Sequence, residues 1–230
     1  MFFFIIKMEK PKNILRACAY IGTITLRDGL TEIVIEAFRE CRNLETVGIP
    51  KTVTRIGPYA FAYSGLKSIT LLDGLIEIWF GAFCGCDNLE TIIIPKTVAK
   101  LDSLTFAYSG LKSITLPYGL TEIGETAFFN CQNLETIVIP NSVTKIGLFA
   151  FAYSGLKSIT LPHGLTEIGK KAFYMCRELE TVVIPETVTK IDSEAFRYSE
   201  LKSITLPHGL TEIGENAFGN YYNLEVKYRN

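Results

Sequence analysis

"LKSITLPHGLTEIG" occupies Leu156–Gly169 and returns letter for letter at Leu201–Gly214, while Leu111–Gly124 differs from both only in carrying Tyr118 where they carry His163 and His208. The three copies start 45 residues apart, and between them runs a related but distinct line, "LETIVIPNSVTKIG" at Leu134–Gly147. Leading leucines therefore form two series, Leu66, Leu111, Leu156, Leu201 and Leu44, Leu89, Leu134, Leu179, Leu224, interleaved at steps of 22 and 23. The 45-residue unit is two unlike coils, A (from Leu66) and B (from Leu44). With a first A coil from Ile21, nine full coils reach Asn223, and Leu224–Asn230 adds a closing half-strand. A short period with a leucine-spaced core is the signature of a solenoid, in which each unit buries its apolar face only against its neighbours.

Within a coil, "LKSITLP" and "LETIVIP" alternate apolar and polar residues, so each predicts a strand with one buried face. Pro117, Pro140, Pro162, Pro185 and Pro207 close those strands, where a missing N–H does least harm. A second apolar pair follows, Leu165/Ile168 in an A coil and Val188/Ile191 in a B coil. Every coil then carries a phenylalanine at the equivalent position: Phe38, Phe61, Phe83, Phe106, Phe128, Phe151, Phe173, Phe196 and Phe218. That column predicts a stacked aromatic core.

Two charge columns alternate without exception. After each leading leucine stand Glu45, Lys67, Glu90, Lys112, Glu135, Lys157, Glu180, Lys202 and Glu225. Inside the second apolar pair the order is Glu32, Arg55, Glu77, Lys100, Glu122, Lys145, Glu167, Lys190 and Glu212. Stacked coils bring equivalent residues side by side at roughly 4.8 Å, so opposite signs attract and a slip of one coil sets like against like. The columns predict register control, A on B and B on A. They also neutralise any basic row that a phosphate or a sulfated sugar could use.

Composition narrows the function classes. The net charge of −1 supplies no field for nucleic acid or an anionic membrane. The apolar run Phe2–Ile6 has no basic residue before it and is shorter than a signal peptide's core, so no classical export signal is expected. No segment reaches the ~18 apolar residues of a membrane span. Cys41, Cys86, Cys131 and Cys176 fall 45 apart, with Ser64, Ser109, Ser154 and Ser199 in the equivalent B position. Two coils separate neighbouring cysteines, too far for mutual disulfides, so they read as buried free thiols. "CGC" at Cys84–Cys86 has no zinc-ligand spacing, and the two histidines sit in the turn slot that Tyr118 also fills. No catalytic constellation, phosphate loop, metal site or cofactor site is expected.

"LKSITLPYGLTEIGETAFFNCQNL" (Leu111–Leu134) resembles the BspA-like leucine-rich repeats, whose pattern is close to LxxIxLPxxLTxIGxxAFxxCxxL, and the likeness extends over Ile21–Leu224. The resemblance implies an α/β fold, a right-handed leucine-rich repeat solenoid with a parallel β-sheet on the concave side and short strands, turns or brief helices on the convex side. It also implies a non-catalytic protein-binding role, adhesin-like, toward host matrix glycoproteins or other cells, and hence a surface or secreted location. Free thiols and the missing signal favour the alternative, an intracellular scaffold or self-assembling structural protein in the cytoplasm. The expected layout is an N-terminal cap or extension (1–20) followed by the repeat domain (21–230).

A partner should touch positions that break the pattern. The slots after the second apolar pair carry Tyr59, then Trp79 and Phe80, then Leu104, then Leu148 and Phe149, whereas late coils place Lys170, Lys171, Glu194 and Glu215 there. "EIWFGAF" against "EIGENAF" is the sharpest departure. These six residues are the candidate contact site. Two other readings stand beside it: a landing surface for the apolar "MFFFII" as a cap, and neutral drift. At the other end Tyr221, Tyr222 and Tyr228 predict a cap, or a homodimer contact through the last strand.

Overall fold

The computed structural model describes residues 20–219 and 224–228, so the expected cap within residues 1–20 lies, except for Tyr20, outside the described residues, as do Tyr221 and Tyr222. Ten short strands, from Thr23–Thr25 to Glu225–Tyr228, form one face, and nine two-residue strands, from Glu32–Ile33 to Glu212–Ile213, form a second. Every strand pair is parallel. The chain is a parallel-strand β-solenoid of stacked coils with its core running lengthwise between these faces.

The expectation of an α/β fold with brief convex helices is corrected: the described residues contain no helix. The backbone of the Ala-Phe segment explains why. Two residues per coil there are left-handed, for example Tyr59 (φ 52°) and Tyr63 (φ 58°), then Phe149 (φ 54°) and Tyr153 (φ 60°). The N–H groups of Tyr59, Phe61 and Tyr63 donate to Phe80, Ala82 and Cys84 of the next coil at 2.9, 2.8 and 2.7 Å. The intervening Ala60, Ala62 and Ser64 close three-residue turns on Gly57, Tyr59 and Phe61 at 3.1–3.2 Å. Alternate donors thus point sideways, and the i→i−4 bond of an α-helix never forms.

Inside, the phenylalanine column stacks as the spacing predicts. Consecutive rings from Phe38 to Phe218 lie 5.1–5.8 Å apart, with planes within 15° of parallel. The charge columns also fall in register: Glu32↔Arg55↔Glu77, and Lys100↔Glu122↔Lys145↔Glu167↔Lys190↔Glu212. Along the first column each lysine closes on the glutamate of the coil before it, Lys67–Glu45, Lys112–Glu90, Lys157–Glu135 and Lys202–Glu180, at 2.6–2.8 Å. These side chains are solvent-exposed, so each pair adds little to stability, and the column works chiefly against register slips.

The cysteine column is a hydrogen-bonded part of the core. Cys86, Cys131 and Cys176 each donate through Sγ to the carbonyl of Phe61, Phe106 and Phe151 at 3.1 Å. Ser64, Ser109 and Ser154 lie beside those sulfurs at 3.4–3.6 Å. Burial pushes each of these thiols up to about 12. Cys41 departs from the expected free thiol: it is disulfide-bonded. Equal spacing along the chain could not reveal that, because its column neighbours are free.

Replacing Phe128→Ala removes a ring stacked on both sides, and the loss should be ~3–5 kcal/mol in denaturant unfolding. Phe218→Ala, at the partly buried end of the column, should cost clearly less. The thiols make a second expectation. Their folded pKa lies above the ordinary value of 9.0, so the unfolded chain releases these protons first and stability falls as pH rises from about 9 toward about 12. A Cys86→Ala/Cys131→Ala/Cys176→Ala variant, compared by denaturation midpoint across that range, should show a flatter decline.

Candidate functional site

Inward side chains are committed to the core and lateral backbone groups to the neighbouring coils, so recognition falls to the outward columns. On the second face one such column is nearly all threonine: Thr31, Thr54, Thr121, Thr144, Thr166, Thr189 and Thr211. Their hydroxyls donate to the carbonyl of the equivalent residue one coil earlier, as in Thr54 to Thr31 (3.2 Å), Thr121 to Ala99 (3.1 Å) and Thr211 to Thr189 (3.0 Å). Two successive coils break the column with Ile76 and Ala99.

Trp79 belongs to the coil where the break starts. Ile76 is 55% exposed and Trp79 38% exposed. With Ala99 they line an open groove of about 350 Å³, to which Glu77, Lys100 and Asp102 add charge. Five other coils hold glycine in the Trp79 slot, where an added Cβ would meet backbone of the preceding coil at 2.2–2.8 Å, while Val34, Asp102 and Asp192 carry side chains there as Trp79 does. Here the indole stands outward, its Nε1 donating to Glu77 at 3.1 Å. Glu77 also lies 3.8 Å from Arg55, Lys100 pairs with Glu122 at 3.4 Å, and Asp102 accepts the Ser103 N–H at 2.8 Å. The groove thus presents apolar carbon framed by mutually compensated charges, an arrangement that buries an apolar side chain at little electrostatic cost.

The six sequence-predicted residues do not meet in one patch. Tyr59 and Phe80 pair edge-on, with centroids 5.0 Å apart, and the Arg39 guanidinium sits 5.4 Å from the Tyr59 ring. Gly81 makes room for that ring, since a Cβ there would lie 2.6 Å from Tyr59 Cε1. Tyr59 and Leu104 pack with Phe129 over a small buried cluster of Ala62, Cys84 and Ala107. Burial raises the Cys84 thiol, so it remains protonated near neutrality. Leu148 is half-buried, and its carbonyl accepts the Thr126 N–H at 2.8 Å. Phe149 lies farther along, edge-on to Phe129 and Tyr174, with the Lys171 ammonium 5.3 Å from its ring. Only Trp79 lines the groove on the second face.

Position-by-position reading passed over Ile76 and Ala99, although "IEI" and "AKL" against the usual "TEI" and "TKI" carried the signal. It also passed over a zigzag of rings, Tyr108, Phe129, Tyr153, Tyr174 and Tyr198, with centroids 5.2–5.7 Å apart. Those rings come from two different slots, one in A coils and one in B coils, which only the stacking brings together. Among the described residues no cluster of histidine, cysteine or carboxylate side chains could hold a metal ion, and no helix is long and apolar enough to cross a membrane.

The profile of the BspA-type leucine-rich repeat region matches six copies over residues 11–135 and 100–225. Among solved structures, a leucine-rich repeat protein from Bacteroides ovatus aligns with a TM-score of 0.77 at 28% identity, covering 90% of this chain and 66% of its own length. A leucine-rich repeat protein from Eubacterium ventriosum aligns with a TM-score of 0.61 at 25% identity, covering 93% of this chain and 70% of its own. The pneumococcal vaccine antigen PcpA, at 21% identity and a TM-score of 0.54 over 91% of this chain and 69% of its own, shares the fold. This chain therefore spans about two thirds of each of these proteins. No curated protein matches it at a significant level.

Proposed function

The chain belongs to the BspA-type leucine-rich repeat family, and from that premise we propose that it is a non-catalytic protein-binding solenoid, adhesin-like, that acts on matrix glycoproteins or other cell-surface proteins. The observation that carries this reading is the groove at Ile76, Trp79 and Ala99. A repeat whose outward threonines serve stacking has no structural use for an exposed indole at the one place where that column lapses. Tryptophan in a partly recessed apolar setting, surrounded by satisfied polar groups, has the composition of a binding hot spot.

The second reading is an intracellular scaffold, and the buried free thiols Cys84, Cys86, Cys131 and Cys176 are what favours it. Burial protects such thiols in either compartment.

The test writes the family's own residues back into the break. Ile76→Thr/Trp79→Gly restores "TEIG", and its unfolding midpoint should stay close to that of the parent. Its saturable binding to immobilised fibronectin and fibrinogen should fall at least tenfold. Parent binding that survives the double substitution would place the contact on another face. Absence of parent binding to either glycoprotein, with the protein confined to the cytoplasm on fractionation, would favour the scaffold.

A further inference from the structure

The strand Glu225–Tyr228 does not follow the register of the coils before it. Other steps from an A strand to a B strand span 23 residues, as in Thr23↔Thr46 and Ser158↔Thr181. Here the step is 22: Ser203↔Glu225, Ile204↔Val226, Thr205↔Lys227 and Leu206↔Tyr228. The repeat register would have set Lys227 beside the buried Ile204. A slip of one residue exchanges the faces, turning Val226 inward and Glu225 and Lys227 outward. Glu225 and Lys227 then pair with each other along the strand at 3.0 Å.

The core at this end is open. Ile213 is 51% exposed and Val226 44%, whereas their counterparts Ile191 and Ile204 in the preceding coils are fully buried. Phe218 is likewise only partly buried. No described residue pairs with the outer edge of Glu225–Tyr228. A strand edge that no described strand pairs with is a template for another strand.

We propose that this end docks a second copy of the chain, edge to edge and antiparallel, about a twofold axis through Val226. The strand is self-complementary in that register. Val226 meets the partner's Val226, and Leu224 meets the partner's Tyr228, so apolar residues share the inward side. On the outward side Glu225 lies opposite the partner's Lys227, and Lys227 opposite the partner's Glu225. Together with the pairs already made within each strand, four charges alternate in a square, each with two opposite neighbours. A head-to-tail joint would instead set these charges against the first strand, whose outward residues are Thr23 and Thr25, with Gly22 in the slot that lysine fills in later A coils. The isologous pairing compensates every charge, and the head-to-tail joint compensates none across the interface. This docking does not rest on the groove or on its partner.

The test uses the full chain. Sedimentation velocity over a micromolar concentration series should show a monomer–dimer equilibrium. Lys227→Glu sets glutamates face to face at two symmetric points and should weaken the dimer at least tenfold, while Glu225→Lys/Lys227→Glu should recover it. Circular dichroism on each variant separates lost association from lost folding. Register is read independently: cross-strand neighbours in an antiparallel pair lie ~4.5–5.5 Å apart, within disulfide reach. Val226→Cys should therefore form a disulfide-linked dimer under mild oxidation at least tenfold faster than Glu225→Cys. A parent that stays monomeric at every concentration overturns the proposal. So does a dimer indifferent to Lys227→Glu, or Glu225→Cys cross-linking as readily as Val226→Cys.

Discussion

Backbone N–H and C=O groups that point along the stacking axis are satisfied chiefly by partners on an adjacent coil. Those partners are found along three sides of the stack: in the two strand series, which lapse between Ser68–Ile69 and Thr91–Ile93, between Ser113–Thr115 and Thr136–Val138 and between Glu77–Ile78 and Lys100–Leu101, and at the Ala-Phe edge, where Phe61, Phe83 and Phe106 donate to Ala82, Thr105 and Ala127. Three simultaneous ladders admit one solution, a backbone path that is the same in every coil. The near-identity of the copies, the stacked phenylalanine in each and the left-handed residues flanking it all follow from that condition.

Left-handed backbone is uncommon outside glycine, yet tyrosine, leucine, lysine, glutamate and methionine all adopt it here. The lateral hydrogen bonds on either side hold them there. Where glycine does take the position, in the coil that contains Gly81 and Gly85, it does so under a tyrosine. A Cβ on Gly85 would lie 2.3 Å from Tyr63 Cδ1, as one on Gly81 would crowd Tyr59. Aromatic rings on this edge therefore lean over the next coil, and their exposure depends on its residue as much as on their own. Three of the six candidate positions, Tyr59, Leu104 and Phe80, are drawn into such local packing.

A fold so constrained leaves little freedom for a binding surface, and this makes its irregularities informative. The Ile76–Trp79–Ala99 groove interrupts a threonine column where the second-face ladder also lapses, between Glu77–Ile78 and Lys100–Leu101, while Trp79 still donates to Ile56 at 2.9 Å, as Gly124 does to Leu101. The change adds outward apolar surface, which is what a contact residue in a repeat should do. The end strand is the opposite case. There the register itself yields by one residue, because burying Lys227 would cost more than a shifted ladder.

The sequence by itself determined the period, the two coil types, the phenylalanine core and the sign alternation of both charge columns. Each of these depends on equivalent residues meeting equivalent residues, and spacing alone settles which those are. It also displayed the breaks at Ile76, Trp79 and Ala99. Tertiary structure alone decided what lies between unlike slots: that the Ala-Phe edge is laterally bonded turn and not helix, that Trp79 and Phe80 face different sides, that A and B rings interleave into one zigzag, that Cys41 is bridged, and that the last strand slips. Those outcomes rest on backbone direction and on neighbours from different columns, and a linear period carries no information about either.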